Sequence, residues 1–373
     1  MIVHATDRTG PPIVLLRQLR WLVEATDWRF TVVALRGGDL RPDFEAVAEV
    51  RVLDEVEPSG DEPEERRLER WRSLLADLDP DLLYVNTAWS ITALPAMPAS
   101  RDRPMISAIH ELDIDLRDTL RPSARADLLG RAHHIVAGAE VIAENLVHGH
   151  GVPADRITVV PEPIELPRPR TAGALDRASW DLAEGDFVVV AAGTPTWRKG
   201  PDLFVHLCHI AHQRRPDIPF RFRWLGADPK AGHADLVGAV EDARRFELGA
   251  MLEFSPPVDD VEDRLALADV FVLTSREDAS PLVCLEAAAA HLPVVCFDNG
   301  GIPSILGRAA CTTVPYPDLD AMADALIELS DDPDRRIAMG AAGRAVVEVD
   351  HDIDAVGPAL HRVLAEWLPE QAG

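Results

Sequence analysis

The stretch that most constrains the fold is Leu273–Pro303, reading LTSREDASPLVCLEAAAAHLPVVCFDNGGIP. An apolar strand ends near Thr274, a polar loop follows, Ser280 and Pro281 open a helix to about His291, and Val294 to Phe297 return as a strand. Ser280 suits an N-cap and Pro281 a first helical position. The amides of Leu282 and Val283 then point back over the strand end, a ready anion site. Glu286 is the only charged residue between Pro281 and Ala290. On so apolar a helix a carboxylate must reach solvent or find donors, since stranding it buried is costly. A ribose diol offers two such donors. The plainer reading, with Glu277 and Asp278 as solvated loop charges and Glu286 as a half-exposed helix residue, stays open from this stretch alone.

At 373 residues the chain exceeds what one core normally supports, so two domains are expected. The first half opens with a strand at Ile2 to Ala5, a turn through Gly10-Pro11-Pro12, and a helix whose apolar positions Ile13, Leu16, Leu19, Leu22 and Val23 share a face. A strand at Phe30 to Leu35 completes a βαβ opening, with further strands at Leu82 to Asn86, Met105 to His110, Ile135 to Ala137 and Ile157 to Val160. The charged segment Val56 to Arg72 reads as a solvated loop and helix start, and the proline-rich Leu166 to Arg170 as a linker.

A second βαβ pattern starts at the apolar run Phe187–Gly193. Strands are expected at Phe222 to Leu225, Met251 to Phe254 and Val270 to Leu273, with helices from Leu319 to Leu368.

A net charge of -26 repels nucleic acid and anionic lipid, and would repel a nucleotide diphosphate equally. Such a ligand needs local donors. Arg198 and Lys199 supply them, two adjacent cations between a strand's carboxyl end and a helix start. Cys208, Cys284, Cys296 and Cys311 lack C-x-x-C spacing and read as reduced core residues; the histidine spacings match no zinc motif. With no basic leader and no apolar stretch of membrane-spanning length, a cytoplasmic protein is expected.

Asp278 and Glu286 eight positions apart, the Arg198-Lys199-Gly200 step, and His110 at a strand end together resemble the family-4 retaining glycosyltransferases of the GT-B fold. The resemblance implies an α/β protein with two Rossmann-like doubly wound domains facing a central cleft. Residues 1–165 would be the acceptor-side domain, 166–350 the nucleotide-sugar donor domain, and 351–373 a C-terminal helix crossing back, with Trp367 packing on the first domain. It further implies that His110 and Asp278 act on the donor sugar, that Arg198, Lys199, the Leu282 and Val283 amides and Gly10 hold the diphosphate, that Glu286 holds the ribose, and that Gly300 and Gly301 form a turn against the sugar.

The implied activity is metal-independent transfer, with retention, from a nucleotide-diphosphate sugar, UDP- or GDP-linked, to a glycan, small-molecule or carrier acceptor. No cofactor, nucleic-acid partner or membrane span is implied, and peripheral membrane contact stays open. The chain departs from the family pattern at Asp278, where a glutamate followed by Gly-Phe-Gly is usual, at Thr194 in place of an arginine, and at Gly10, a single glycine followed by two prolines. Those departures keep two rivals open: a catalytically inactive nucleotide-sugar-binding protein, and a nucleotide-sugar epimerase of the same architecture.

Overall fold

The computed structural model describes residues 1–54, 62–97, 102–166 and 176–369. The chain divides into two units, Met1–Glu165 with His351–Gly373, and Leu166–Asp350. Positions 56–61 of the expected charged segment and 167–170 of the expected linker lie outside the described residues.

The first unit is built on a parallel sheet of seven strands: β1 (Ile2–Ala5), β2 (Thr31–Arg36), β3 (Glu49–Asp54), β4 (Leu83–Asn86), β5 (Met105–Ile109), β6 (His134–Ala137) and β7 (Ile157–Val159). Their order is β3-β2-β1-β4-β5-β6-β7. The second unit has six parallel strands, β8 (Phe187–Ala192), β9 (Phe220–Leu225), β10 (Leu252–Ser255), β11 (Val270–Leu273), β12 (Val294–Phe297) and β13 (Cys311–Val314). Their order, β10-β9-β8-β11-β12-β13, is that of a dinucleotide-binding sheet.

Central strands such as Val270-Phe271-Val272-Leu273 are apolar at every position because helices cover both faces of a parallel sheet. The two strands absent from the expectations, β3 and β13, are edges. β3 alternates charged and apolar residues, and its Arg51 pairs with Glu49 and Asp77. β13 is Cys-Thr-Thr-Val. Half-exposed edges lack the apolar run that identifies a buried strand.

The helix Ile353–Ala365 packs within the first unit against the helix Gly10–Ala25. Val356, Leu360, Val363 and Leu364 join a core with Leu15, Leu19 and Leu22. Gly357 lies so close to the Trp21 indole that a Cβ there would overlap it. Trp367, expected to pack on this domain, meets the rings of His133 and His134 at 5.7 and 6.2 Å. Where the chain re-enters, the Ile164 amide donates to the His351 carbonyl (2.8 Å), and His351 Nδ1 faces the Glu162 carbonyl (2.9 Å). The four cysteines are buried and free.

Candidate functional site

In doubly wound sheets, ligands bind beyond the carboxyl ends of the strands where the order reverses. In the second unit that point lies between β8 and β11, and the predicted cations and carboxylate meet there. After β8 the chain passes Gly193 and a short 3-10 turn, Trp197–Lys199, into the helix Pro201–Arg214. Gly200 joins turn to helix with φ +71°, and a side chain there would strike the Thr274 carbonyl at the end of β11. That contact sets Lys199 beside the loop that follows β11.

The Lys199 ammonium forms an ion pair with Asp278 Oδ2, Arg198 lies 3.5 Å from Oδ1, and Ser275 Oγ donates to Oδ2 at 3.1 Å. Arg198 also donates to the Glu277 carbonyl (2.8 Å). Asp278 is 8% exposed. Burial pushes its carboxyl up, but the Lys199 and Arg198 charges with the Lys199 and Ser275 hydrogen bonds overturn this and hold it below the usual range. The expected sugar-binding carboxylate and the expected diphosphate cations are thus one ion cluster.

Residues not anticipated clamp the two loops together. Arg276 pairs with both carboxylate oxygens of Asp202 (3.0 and 2.6 Å), donates to the Trp197 carbonyl (2.6 Å), and lies over the Trp197 ring at 4.7 Å. Asn299 Nδ2 donates to the Arg276 carbonyl (2.7 Å). Gly300 and Gly301, expected as a turn against the donor sugar, sit against the chain's own backbone: a Cβ on Gly300 would overlap the Asp278 carbonyl, and the Gly301 amide donates to that carbonyl at 3.0 Å.

The helix after this loop corrects one expectation. It spans Leu282–Ala289, two turns ending short of His291, and Ser280 does not cap it. Pro281 occupies the cap position with extended backbone, ψ 112°, and its carbonyl accepts from the Cys284 amide (2.9 Å). Ser280 Oγ is buried and has no hydrogen-bond partner among the described residues. Helical geometry leaves the Leu282 and Val283 amides without intrahelical acceptors. Half-buried Glu286 is one turn on from Leu282, on the same side.

In the first unit the order reverses between β1 and β4. Gly10 does not form an open loop there: it is the first residue of the helix Gly10–Ala25, which runs through both prolines, as proline at an opening turn allows. His110 follows β5 directly. Its Nδ1 lies 2.9 Å from Glu162 Oε1, and its Nε2 lies 2.9 Å from Asn86 Oδ1. Glu111 accepts from the Ala88 and His110 amides, both at 2.9 Å; burial holds its carboxyl above the usual range although the His110 charge pulls it down. Thr87, with φ +74°, is a strained conformation for a β-branched residue. Its amide bond to the Ala108 carbonyl (2.9 Å) holds it there, and the exposed Trp89 follows.

Residues 10–168 match the model "Glycosyltransferase Family 4" and residues 186–332 match "Glycosyl transferases group 1". The chain belongs to the family-4 glycosyltransferases and has the GT-B fold. A curated relative, the D-inositol 3-phosphate glycosyltransferase of Pseudarthrobacter chlorophenolicus, is 31% identical over 64% of this chain and 60% of its own length. The match thus spans about three fifths of that relative. A Corynebacterium glutamicum GDP-mannose-dependent monoacylated alpha-(1-6)-phosphatidylinositol monomannoside mannosyltransferase is 39% identical over 28% of this chain and 29% of its own length. Among solved structures, Anabaena Alr3699/HepE in complex with UDP and glucose superposes with TM-score 0.79 at 16% identity, covering 98% of this chain and 99% of its own. WaaG, a glycosyltransferase involved in lipopolysaccharide biosynthesis, does so with TM-score 0.74 at 12% identity over 100% of both. Among the described residues no helix is long and apolar enough to cross a membrane.

Proposed function

We propose that the chain transfers a sugar from a nucleotide-diphosphate donor to an acceptor hydroxyl, with retention at the anomeric carbon and without a metal ion. The observation that carries this reading is the cluster of Lys199, Arg198 and Asp278 at the β8/β11 switch point, beside a helix start. In glycosyl transfer the difficulty is charge, because the diphosphate departs as the sugar becomes cationic. Preorganised cations and amides aimed at the departing phosphate supply the electrostatic stabilisation that commonly dominates catalysis.

In this reading Lys199, Arg198 and the Leu282 and Val283 amides bind the diphosphate. Without ligand, the Asp278 carboxylate satisfies the two cations; when the donor binds, phosphate oxygens take that place and Asp278 turns to sugar hydroxyls. The unpartnered Ser280 hydroxyl supplies one more donor. Glu286 accepts from the ribose diol and the Gly300-Gly301 turn holds the Asp278 loop, while Gly10 and His110 belong to the acceptor-side unit.

The base is uridine or guanosine, since HepE was solved with UDP and the corynebacterial relative is named for GDP-mannose. A glycan, small-molecule or carrier acceptor suits the acidic chain better than nucleic acid does, and the inositol-based acceptors in the relatives' names fit that class.

Thermal shift tests the donor site. With EDTA present, UDP or GDP should raise the midpoint by mass action. Lys199→Ala should weaken binding roughly 10- to 150-fold, as expected for losing a charge-assisted hydrogen bond of about 1.5–3 kcal/mol, and Glu286→Ala should lose the ribose contribution. A folded protein indifferent to every nucleotide would sink the assignment. Slow donor hydrolysis releasing the sugar first as its original anomer separates a retaining transferase from an inactive binder.

A further inference from the structure

We infer that Glu162 and Asn86 fix His110 as an imidazolium, so that this histidine serves as a buried, permanent cation and not as a proton acceptor. Both ring nitrogens face oxygen acceptors, Glu162 Oε1 and Asn86 Oδ1, each at 2.9 Å. A neutral imidazole has one N–H and satisfies only one of them; the doubly protonated ring satisfies both. The Asn86 amide cannot simply be turned to offer a donor, because its Nδ2 already donates to the Pro11 carbonyl at 3.0 Å.

Glu162 is held in turn. Its backbone carbonyl faces His351 Nδ1 at 2.9 Å. Gly138 leaves room for its carboxylate: a Cβ at Gly138 would stand 2.7 Å from Glu162 Oε1. The His110 and Glu162 side chains are 8% and 6% exposed. A neutral histidine would therefore leave its lone pair facing either the buried Glu162 carboxylate or Asn86 Oδ1, and either arrangement is costly.

The charged groups facing His110 are Glu162 after β7, the adjoining Glu111, and His4 on β1. His4 is itself held low by burial; Asp7 pulls against that, and Arg36 and His110 add to it. For His110, burial opposes the charge, but the Glu162 hydrogen bond and charge, with Glu111 adding, leave it above the ordinary histidine range.

Under the proposed transfer reaction, which this part of the inference rests on, His110 cannot take a proton from the acceptor hydroxyl at neutral pH. It supplies fixed positive charge and orientation, and Glu162 is its positioning residue. The protonation state does not depend on that reading.

Histidine nitrogen NMR on the 15N-histidine-labelled full chain tests it, with His110→Gln identifying the His110 signals among 13 histidines. Wild-type His110 should titrate with a midpoint above the usual value of about 6.5, with both ring nitrogens protonated below that midpoint. In Glu162→Gln the midpoint should fall, because only the Glu111 charge then opposes burial. Asn86→Asp, which places a second carboxylate on the ring, should raise it. A wild-type midpoint at or below about 6.5 overturns the inference even if Glu162→Gln fails to fold. So does an unchanged midpoint in folded Glu162→Gln. If nucleotide stabilises the protein, the turnover of Glu162→Gln relative to wild type should drop from about pH 6 to 8 while the nucleotide midpoint shift is retained. If no nucleotide binds, the transfer reading fails and the NMR result still decides the protonation state.

Discussion

Asp278 holds the charges of Lys199 and Arg198 together at the β8/β11 switch point. Replacing it by asparagine leaves Lys199 and Arg198, whose side chains are 18% and 23% exposed, facing a neutral group. Breaking a fully buried ion pair costs about 3–5 kcal/mol, and partial solvent access reduces that to roughly 1–3 kcal/mol, measurable by urea unfolding. The pH dependence has a definite sign. A carboxyl held below its unfolded value of about 3.9 stabilises the fold above that pH and loses its contribution as the pH falls through its folded value. Asp278→Asn should therefore narrow its gap to wild type in acid. His110, held high, has the opposite sign: its contribution is complete below about pH 6.5 and is lost as the pH rises through its higher folded value. Local sequence displayed His110 and Lys199, which lie at a strand end and just before a helix start, and Glu286 as the lone charge on an apolar helix. Glu162 and Asn86 were illegible as partners of His110 because they lie 52 and 24 positions away and meet it only through sheet topology.

At the scale of elements, the loops at the switch point are held by backbone against backbone. Gly200 combines a left-handed φ with a Cβ position occupied by the Thr274 carbonyl. Gly200→Ala should cost about 2 kcal/mol or more, the left-handed penalty of about 1–2 kcal/mol plus the overlap. It should also weaken the nucleotide-induced midpoint shift by moving Lys199; loss of stability with that shift intact would show that the turn does not set the lysine. The buried strands were legible to within a few residues because parallel strands covered on both faces are apolar throughout. Edge strands β3 and β13 were not, for want of that run. The start of the helix Leu282–Ala289 was misplaced because Ser280-Pro281 has the composition of a cap, whereas the extended backbone of Pro281 and the Gly301 bond to Asp278 take the loop elsewhere.

At the scale of the whole chain, the first unit is completed by residues from the far end of the sequence. Gly357→Val places a branched side chain against the Trp21 indole and should destabilise by about 1–3 kcal/mol, as overpacking does. Because Gly357 belongs to the first unit, nucleotide affinity at the second should be retained, and calorimetry with and without nucleotide checks both. The division at residues 165 and 166 falls where the βαβ rhythm pauses before resuming at Phe187, whereas the helix Ile353–Ala365 returning to the first unit was an implication of the family resemblance. The fit of Gly357 to Trp21 was not legible in the sequence, since a glycine within a helical pattern does not announce what it touches. That fit has a consequence during synthesis. The apolar stripe Val356, Leu360, Val363 and Leu364, which covers Leu15 and Leu19, leaves the ribosome only after the entire second unit has been made. At roughly 5–20 residues per second, the helix Gly10–Ala25 waits about 17 to 70 seconds for the stripe that covers it. The first unit is closed only after the second has been made, and until then its helix keeps an apolar face open on the nascent chain.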